Sequence, residues 1–349
     1  MILKINPIKP EPELIKIAAS AIKSGKLVAF PTETVYGLGA DALNGAACSK
    51  IFAAKMRPQD NPLIVHVDSM KMAEGVGEIP KEYKQTLNEI WPSPITFIIK
   101  KRPALPDSVT AGLDTVAVRM PAHPIALAII KEAKTPVAAP SANLSGKPSP
   151  TEARTIIEEL GEKVDVIIDG GPAFFGLEST VIDLDSFTII RPGPFTPEEI
   201  TKKFGKRPKV YIALKNVERP ISPGLKYRHY APDKPLFLFS GNPSELAKIS
   251  NGLDKNFCVI GSNELCDSIY NKNAVKIPLG AMDNTYEIAK NLFSALRSVD
   301  RYKVDFGLCE AFPDKGIGLA IMNRLVKACG GNTFSDAAEL KKFKRKNLV

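Results

Sequence analysis

The segment Pro31-Thr-Glu-Thr-Val-Tyr-Gly37 brings two hydroxyls, a carboxylate and a phenol together directly after the apolar run Leu27 to Phe30. Loops carried on such strands are where α/β proteins hold ligands. Lys55-Met-Arg57 then supplies two cations, followed by Asn61 and His66, which completes the outline of an anion site. Arg119 and Arg191 end the apolar runs Val116 to Val118 and Ile189 to Ile190. Each guanidinium, once buried, needs either an anionic ligand or a structural Asp or Glu, and the sequence leaves both open. Lys55 and Arg57 have a bland reading too, since a helix C-terminus favours positive charge anyway. Small and polar residues in Val137-Ala-Ala-Pro-Ser-Ala-Asn143 and Leu177-Glu-Ser-Thr180 expose amides and hydroxyls to close approach. No Ser-His-Asp or Cys-His set accompanies them, so the chemistry is the binding and orientation of charged reactants without a covalent enzyme intermediate.

The elements that must position these groups follow from hydrophobic periodicity. Strands are expected at 27–30, 63–67, 95–99, 115–119, 136–139, 164–168, 179–184 and 187–191, with helices at 13–24, 45–56, 80–90, 123–133, 151–160 and 197–204. Their irregular interspersion predicts a mixed, twisted sheet covered by helices. Residues 206–234 break the pattern: prolines cluster there around Ser222-Pro-Gly-Leu-Lys-Tyr-Arg-His-Tyr-Ala-Pro232, a linker rich enough in aromatic and basic groups to touch ligand. Strand and helix then alternate regularly over 235–335, which predicts a smaller, mostly parallel α/β domain. Residues 336–349 read as a basic tail, in which Lys341 to Lys346 form a solvated or frayed end or an RNA contact.

A chain of 349 residues with 44% hydrophobic and 24% charged residues is globular and long enough for two cores. Its formal charge of +9 favours anionic partners such as nucleotides or RNA. Five scattered cysteines without a CxxC pair point to a reducing, cytoplasmic compartment, and neither a signal peptide nor a membrane-spanning run is expected. The P-loop pattern is missing: Ser141-Ala-Asn-Leu-Ser-Gly-Lys147 lacks the first glycine, and Pro148 stands where a magnesium-holding hydroxyl belongs. Gly316-Ile-Gly318 lacks the third glycine of a dinucleotide fingerprint and reads as a turn into a helix. His66 alternates with Ile64 on a strand and is either a packing residue or a ligand contact, whereas His123 before Pro124 reads as a helix cap.

Seven segments, in this order and spacing, resemble the threonylcarbamoyl-AMP synthase family in its long, two-domain form. They are Pro31-Thr-Glu-Thr-Val-Tyr-Gly-Leu38, Lys55-Met-Arg-Pro58, Asn61-Pro-Leu63, Trp91-Pro-Ser-Pro-Ile-Thr96, Val118-Arg-Met-Pro121, Pro140-Ser-Ala-Asn143 and Ser179-Thr-Val-Ile-Asp183. Ser93, where that family often has glycine, is a mild departure. The resemblance implies a YrdC-like catalytic domain at 1–205, a ligand-contacting linker and a Rossmann-like α/β domain. It also implies synthesis of L-threonylcarbamoyladenylate and pyrophosphate from L-threonine, bicarbonate and ATP with Mg2+, for N6-threonylcarbamoyladenosine at tRNA position 37 through a downstream transferase. Carried over, Thr34, His66, Arg119, Ala139 and Ser179 should hold threonine. Lys55, Arg57, Asn61, Thr115, Ser141, Asn143, Ser149, Arg191 and Tyr230 should hold ATP, with Lys55 and Arg57 offsetting charge during the reaction. Two other classes stay in view: an RNA-binding protein without catalysis, and a carbamoyl-adenylate enzyme with another acceptor, as in hydrogenase maturation proteins.

Overall fold

The computed structural model describes residues 1–211 and 230–344. The linker residues Ser222 to His229 and the end of the basic tail, 345–349, lie outside the described residues. The chain divides into two units, 1–145 with 149–211 and 146–148 with 230–344.

The first unit holds strands β1 (Ile2–Lys4), β2 (Val28–Phe30), β3 (Gly37–Asp41), β4 (Ile64–His66), β5 (Gly77–Glu78), β6 (Ile95–Lys101), β7 (Thr115–Arg119), β8 (Val137–Ala138), β9 (Val166–Asp169), β10 (Thr180–Asp183), β11 (Thr188–Arg191) and β12 (Lys209–Val210). Its helices are α1 (Pro12–Lys23), α2 (Gly45–Lys55), α3 (Met70–Val76), α4 (Lys81–Ile90), α5 (Asp107–Thr110), α6 (Pro124–Ala133), α7 (Ala153–Leu160) and α8 (Pro197–Phe204). The strands join in the order β1-β9-β2-β3-β8-β4-β7-β6-β10-β11-β12, with β5 on β6. Pairing is mixed: β4 runs parallel to β7, whereas β6 and β7 are antiparallel. Against expectation, Gly37–Asp41 is a strand. It pairs antiparallel with β2 and closes at Phe30 opposite Gly37, so the loop 31–36 is the buried tip of a hairpin.

One core packs α1 and α6, through Ile15, Ile22, Ile125 and Ile129, against Val28 and Phe30. Another gathers Ile51, Phe52, Val65, Phe97 and Val118. A small third cluster, Ile64, Ile98, Ala117, Val181 and Ile190, spans adjacent strands. Because strand side chains alternate, Ile64 shares its face with His66, and Ala117 with Arg119. The polar groups of the site therefore border an apolar floor.

The second unit holds β13 (Leu236–Phe239), α9 (Pro243–Asn251), β14 (Phe257–Gly261), α10 (Asn263–Asp267), β15 (Ala274–Pro278), α11 (Thr285–Ser298), β16 (Phe306–Glu310), α12 (Gly318–Ala328), β17 (Thr333–Phe334) and α13 (Ala337–Lys344). Its sheet, β15-β14-β16-β13-β17, is parallel throughout, as the strand and helix alternation predicts. Ahead of the basic end, α13 is a helix whose Leu340 enters the core beside Phe239 and Phe334, while Lys341 and Lys342 are exposed. Gly316 and Gly318 serve the turn into α12, where a Cβ at Gly318 would overlap the Pro313 carbonyl.

Candidate active site

A cleft in the first unit is lined by Thr32, Thr34, Arg57, His66, Arg119 and Arg191, together with backbone-rich walls at 35–37, 139–141 and 178–179. Most of its groups come from strand ends. Parallel pairing sets His66 beside Arg119. On the next strand pair, Ile182 faces Ile189 but Val181 faces Arg191, so Ile190 is an extra, bulged residue. Without that bulge Arg191 would oppose Thr180 and point to the other face; with it, the guanidinium shares the face of Val181. Its Nε and Nη2 both donate to the Ser179 carbonyl, at 3.1 and 2.9 Å. Gly193 allows this chain crossing, since a Cβ there would overlap the backbone of Ser179 and Thr180.

The hairpin tip is organised by its own side chains. Thr32 Oγ1 accepts from the amides of Thr34 and Val35 and donates to the Val35 carbonyl. The Tyr36 hydroxyl, buried, donates to the Gly171 carbonyl at 2.7 Å. Burial holds that phenol well above its ordinary pKa, so it remains a donor. The Pro140-Ser-Ala-Asn143 loop lies alongside, with Leu38 N donating to Pro140 O and Ala142 N to Tyr36 O.

Arg119 is 4% exposed. Its Nη1 donates to Thr34 Oγ1 at 2.9 Å, and Nη2 lies 2.6 Å from Glu33 Oε1. That ion pair is out of line for a hydrogen bond. Nε, Nη2 and both Glu33 oxygens consequently have no hydrogen-bond partner among the described residues. A fork of two N–H groups in this state matches a planar carboxylate.

Lys55 is buried at the end of α2, which Asn44 caps and whose last turn yields to Met56 in the left-handed region. Its Nζ donates to the carbonyls of Ser141 and Asn143, so the ammonium holds the loop instead of extending into solvent. Arg57 donates from Nε to Asn61 O and from Nη2 to Pro62 O, and lines the cleft. The Asn61 side-chain oxygen is buried without a partner among the described residues.

Thr34, Arg57, His66, Arg119, Ala139, Ser141, Ser179 and Arg191 of the sequence-predicted set thus meet in one cleft. Asn143 sits in its supporting loop, accepting from the Ser141 hydroxyl, and Lys55 holds that loop from the end of α2. Ser149 donates to Glu178, a wall residue, at 2.6 Å. Thr115 is not brought there. It begins β7, roughly 13 Å from Arg119 at about 3.3 Å per residue, and lines a separate groove with Tyr83 and Asp183. Tyr230 stacks on Phe293 of the second unit, 5.1 Å between centroids.

Comparison with known proteins also falls into two parts. Residues 20–193 match the family model described as "Telomere recombination", and residues 195–330 match "Threonylcarbamoyl-AMP synthase, C-terminal domain". The threonylcarbamoyl-AMP synthase of Pyrococcus abyssi is 47% identical over 329 residues, covering 90% of this chain and 94% of that protein. The Bacillus subtilis one is 45% identical over 320 residues, covering 90% and 92%. The chain belongs to the threonylcarbamoyl-AMP synthase family. A solved structure, P. abyssi Sua5 complexed with L-threonine, superposes on this member of the family with a TM-score of 0.89 at 44% identity, covering 96% of this chain and 99% of that one. Escherichia coli YciO shares the fold of the first unit, with a TM-score of 0.51 at 24% identity.

Two carboxylates of this threonylcarbamoyl-AMP synthase family member escape sequence reasoning. Glu33 pairs with Arg119, and Glu178 anchors Ser149. The available signal for Glu33 was the demand of apolar-flanked Arg119 for an anion, which the Thr-Glu-Thr triplet meets.

His66 is neutral. Burial, and after it the Arg119 charge, push its pKa from 6.5 down to about 3. The unfolded chain takes up a proton near pH 6.5 that the folded one refuses until about 3. The stabilisation is therefore full above the unfolded pKa and is lost as pH falls through that window, by at most ~1.4 kcal/mol per pH unit. Urea unfolding between about pH 6 and 4 should show a steeper loss of stability for the wild type than for His66→Gln. Equal slopes would mean that His66 titrates as it does in water.

Proposed function

We propose that the protein condenses L-threonine, bicarbonate and ATP into L-threonylcarbamoyladenylate and pyrophosphate, supplying the activated group that a downstream transferase places on N6 of adenosine 37 in tRNA. The observation that carries this is the gathering of Arg57, Arg119 and Arg191 with Thr34 and neutral His66 in one cleft. Arg119 takes the threonine carboxylate. Thr34, His66, Ser179 and the Ala139 backbone surround the rest of the amino acid. Arg57, Ser141 and Arg191 meet the nucleotide phosphates, and Lys55, Asn61, Asn143 and Ser149 keep that wall in shape.

The threonine amine bonds to the carbon of bicarbonate, whose hydroxyl leaves and takes up the amine proton as water; an oxygen of the resulting carbamate then attacks the α-phosphorus as pyrophosphate leaves. Negative charge grows on the leaving phosphates, and fixed guanidinium groups stabilise it without rearranging. Ser179 Oγ is bonded to Thr96 and not to a base, in keeping with catalysis by position. Among the described residues no cluster of three or more His, Cys, Asp or Glu side chains suits a metal ion. Glu178 is the one carboxylate among the cleft's lining residues. A magnesium ion carried on the triphosphate would add its charge to that of Arg57 and Arg191 in screening the phosphates.

No helix among the described residues is long and apolar enough to cross a membrane. A cytoplasmic site is where ATP and tRNA meet the enzyme. The alternative of RNA binding without catalysis explains the +9 charge but not a neutral histidine and three arginines gathered at one narrow cleft. Pyrophosphate release decides between them: it should require ATP, threonine and bicarbonate together. Release that is indifferent to threonine, or none at all, would refute the synthase reading.

A further inference from the structure

Arg119 lines the substrate cleft, but the carboxylate that holds it does not. Glu33 instead lines a second cleft of about 590 Å³, walled by Ile8, Pro92, Pro94, Pro172, Phe174 and Phe175, with Ser93 and His123 at its polar end. Successive residues of the hairpin tip explain this, since Thr32 and Thr34 face the first cleft and Glu33 the second. The Glu33 backbone is fixed as well, its carbonyl accepting from Phe175 N at 2.9 Å. Both partners of the pair are buried, with side chains 4% and 7% exposed. Loss of one would leave the other as an uncompensated charge.

Resting on the proposed synthase activity, we infer that Glu33 is a positioning residue for amino-acid binding. It buttresses the Arg119 guanidinium from the second cleft, while Thr34 fixes Nη1, so that the fork stays turned toward the threonine carboxylate. The same arrangement places the Glu33 side chain at the wall of the second cleft, so the space left by its truncation opens there and not at the substrate site. Ser93 Oγ, buried and lacking a hydrogen-bond partner among the described residues, stands at that cleft as a donor for a carboxylate that replaces the side chain.

The test is steady-state pyrophosphate release by the full-length Glu33→Ala and Glu33→Gln variants, with and without sodium acetate, propionate or chloride. Glu33→Ala should raise the threonine KM at least tenfold and change the ATP KM less than twofold. Acetate at tens of millimolar should recover most of the loss in Glu33→Ala, and chloride should not. Glu33→Gln keeps an acceptor oxygen for Nη2 and should lose less than Glu33→Ala, which separates positioning from collapse should the alanine variant fold poorly. An unchanged threonine KM in both variants, or equal losses in the threonine and ATP KM values, would overturn the inference. A wild type that releases no pyrophosphate in response to threonine would instead overturn the synthase reading beneath it.

Discussion

Arg119→Lys should raise the threonine KM by about a hundredfold while the ATP KM moves less than about threefold. Lysine keeps the positive charge beside Glu33, so the buried pair survives and the fold with it. What disappears is the planar fork whose Nε and Nη2 have no other hydrogen-bond partner among the described residues. Charge-assisted hydrogen bonds contribute about 1.5–3 kcal/mol each, and ~2.8 kcal/mol corresponds to a factor of one hundred. Threonine titrations of pyrophosphate release give the number directly. A threonine KM within threefold of wild type would show that the carboxylate binds elsewhere.

The second large effect belongs to Lys55→Met. Methionine fills the volume of the stem but leaves the carbonyls of Ser141 and Asn143 without the ammonium that now gathers them. Removing the buried charge recovers part of its desolvation cost, so the net loss of stability should be moderate, about 2 kcal/mol. Activity should fall much further, by about a hundredfold in kcat/KM for ATP, because the loop carries Ser141 into the cleft wall. Denaturant unfolding and ATP titrations on the same preparation separate the two. A variant with wild-type kcat/KM for ATP would reduce Lys55 to a helix-terminus charge.

The strands that carry the site were readable because they are short apolar runs ending in a charged or small residue, as in Thr115 to Arg119 and Val137 to Ala139. The order and spacing of the polar segments then made the family resemblance specific. What the sequence hid were matters of register. Gly37–Asp41 contains two glycines and does not look like a strand, yet it forms one by pairing on both edges with β2 and β8. The bulge at Ile190 turns Arg191 toward the cleft and has no local signature. Lys55 was expected to hold ATP or to close a helix end, and its bonds to the Ser141 and Asn143 carbonyls depend on a loop far along the chain. The partnership of Glu33 with Arg119 crosses a long stretch of chain and follows from the hairpin and the β4–β7 pairing together. Thr115 shares a strand with Arg119 but sits at its far end, a separation that the order of motifs in the sequence does not display.

A crystal structure with L-threonine and a non-hydrolysable ATP analogue tests the account most directly. It should show the threonine carboxylate within hydrogen-bond distance of Arg119, and the analogue's phosphates against Arg57, Ser141 and Arg191. Threonine bound away from Arg119, or phosphates contacting none of those three side chains, would contradict it.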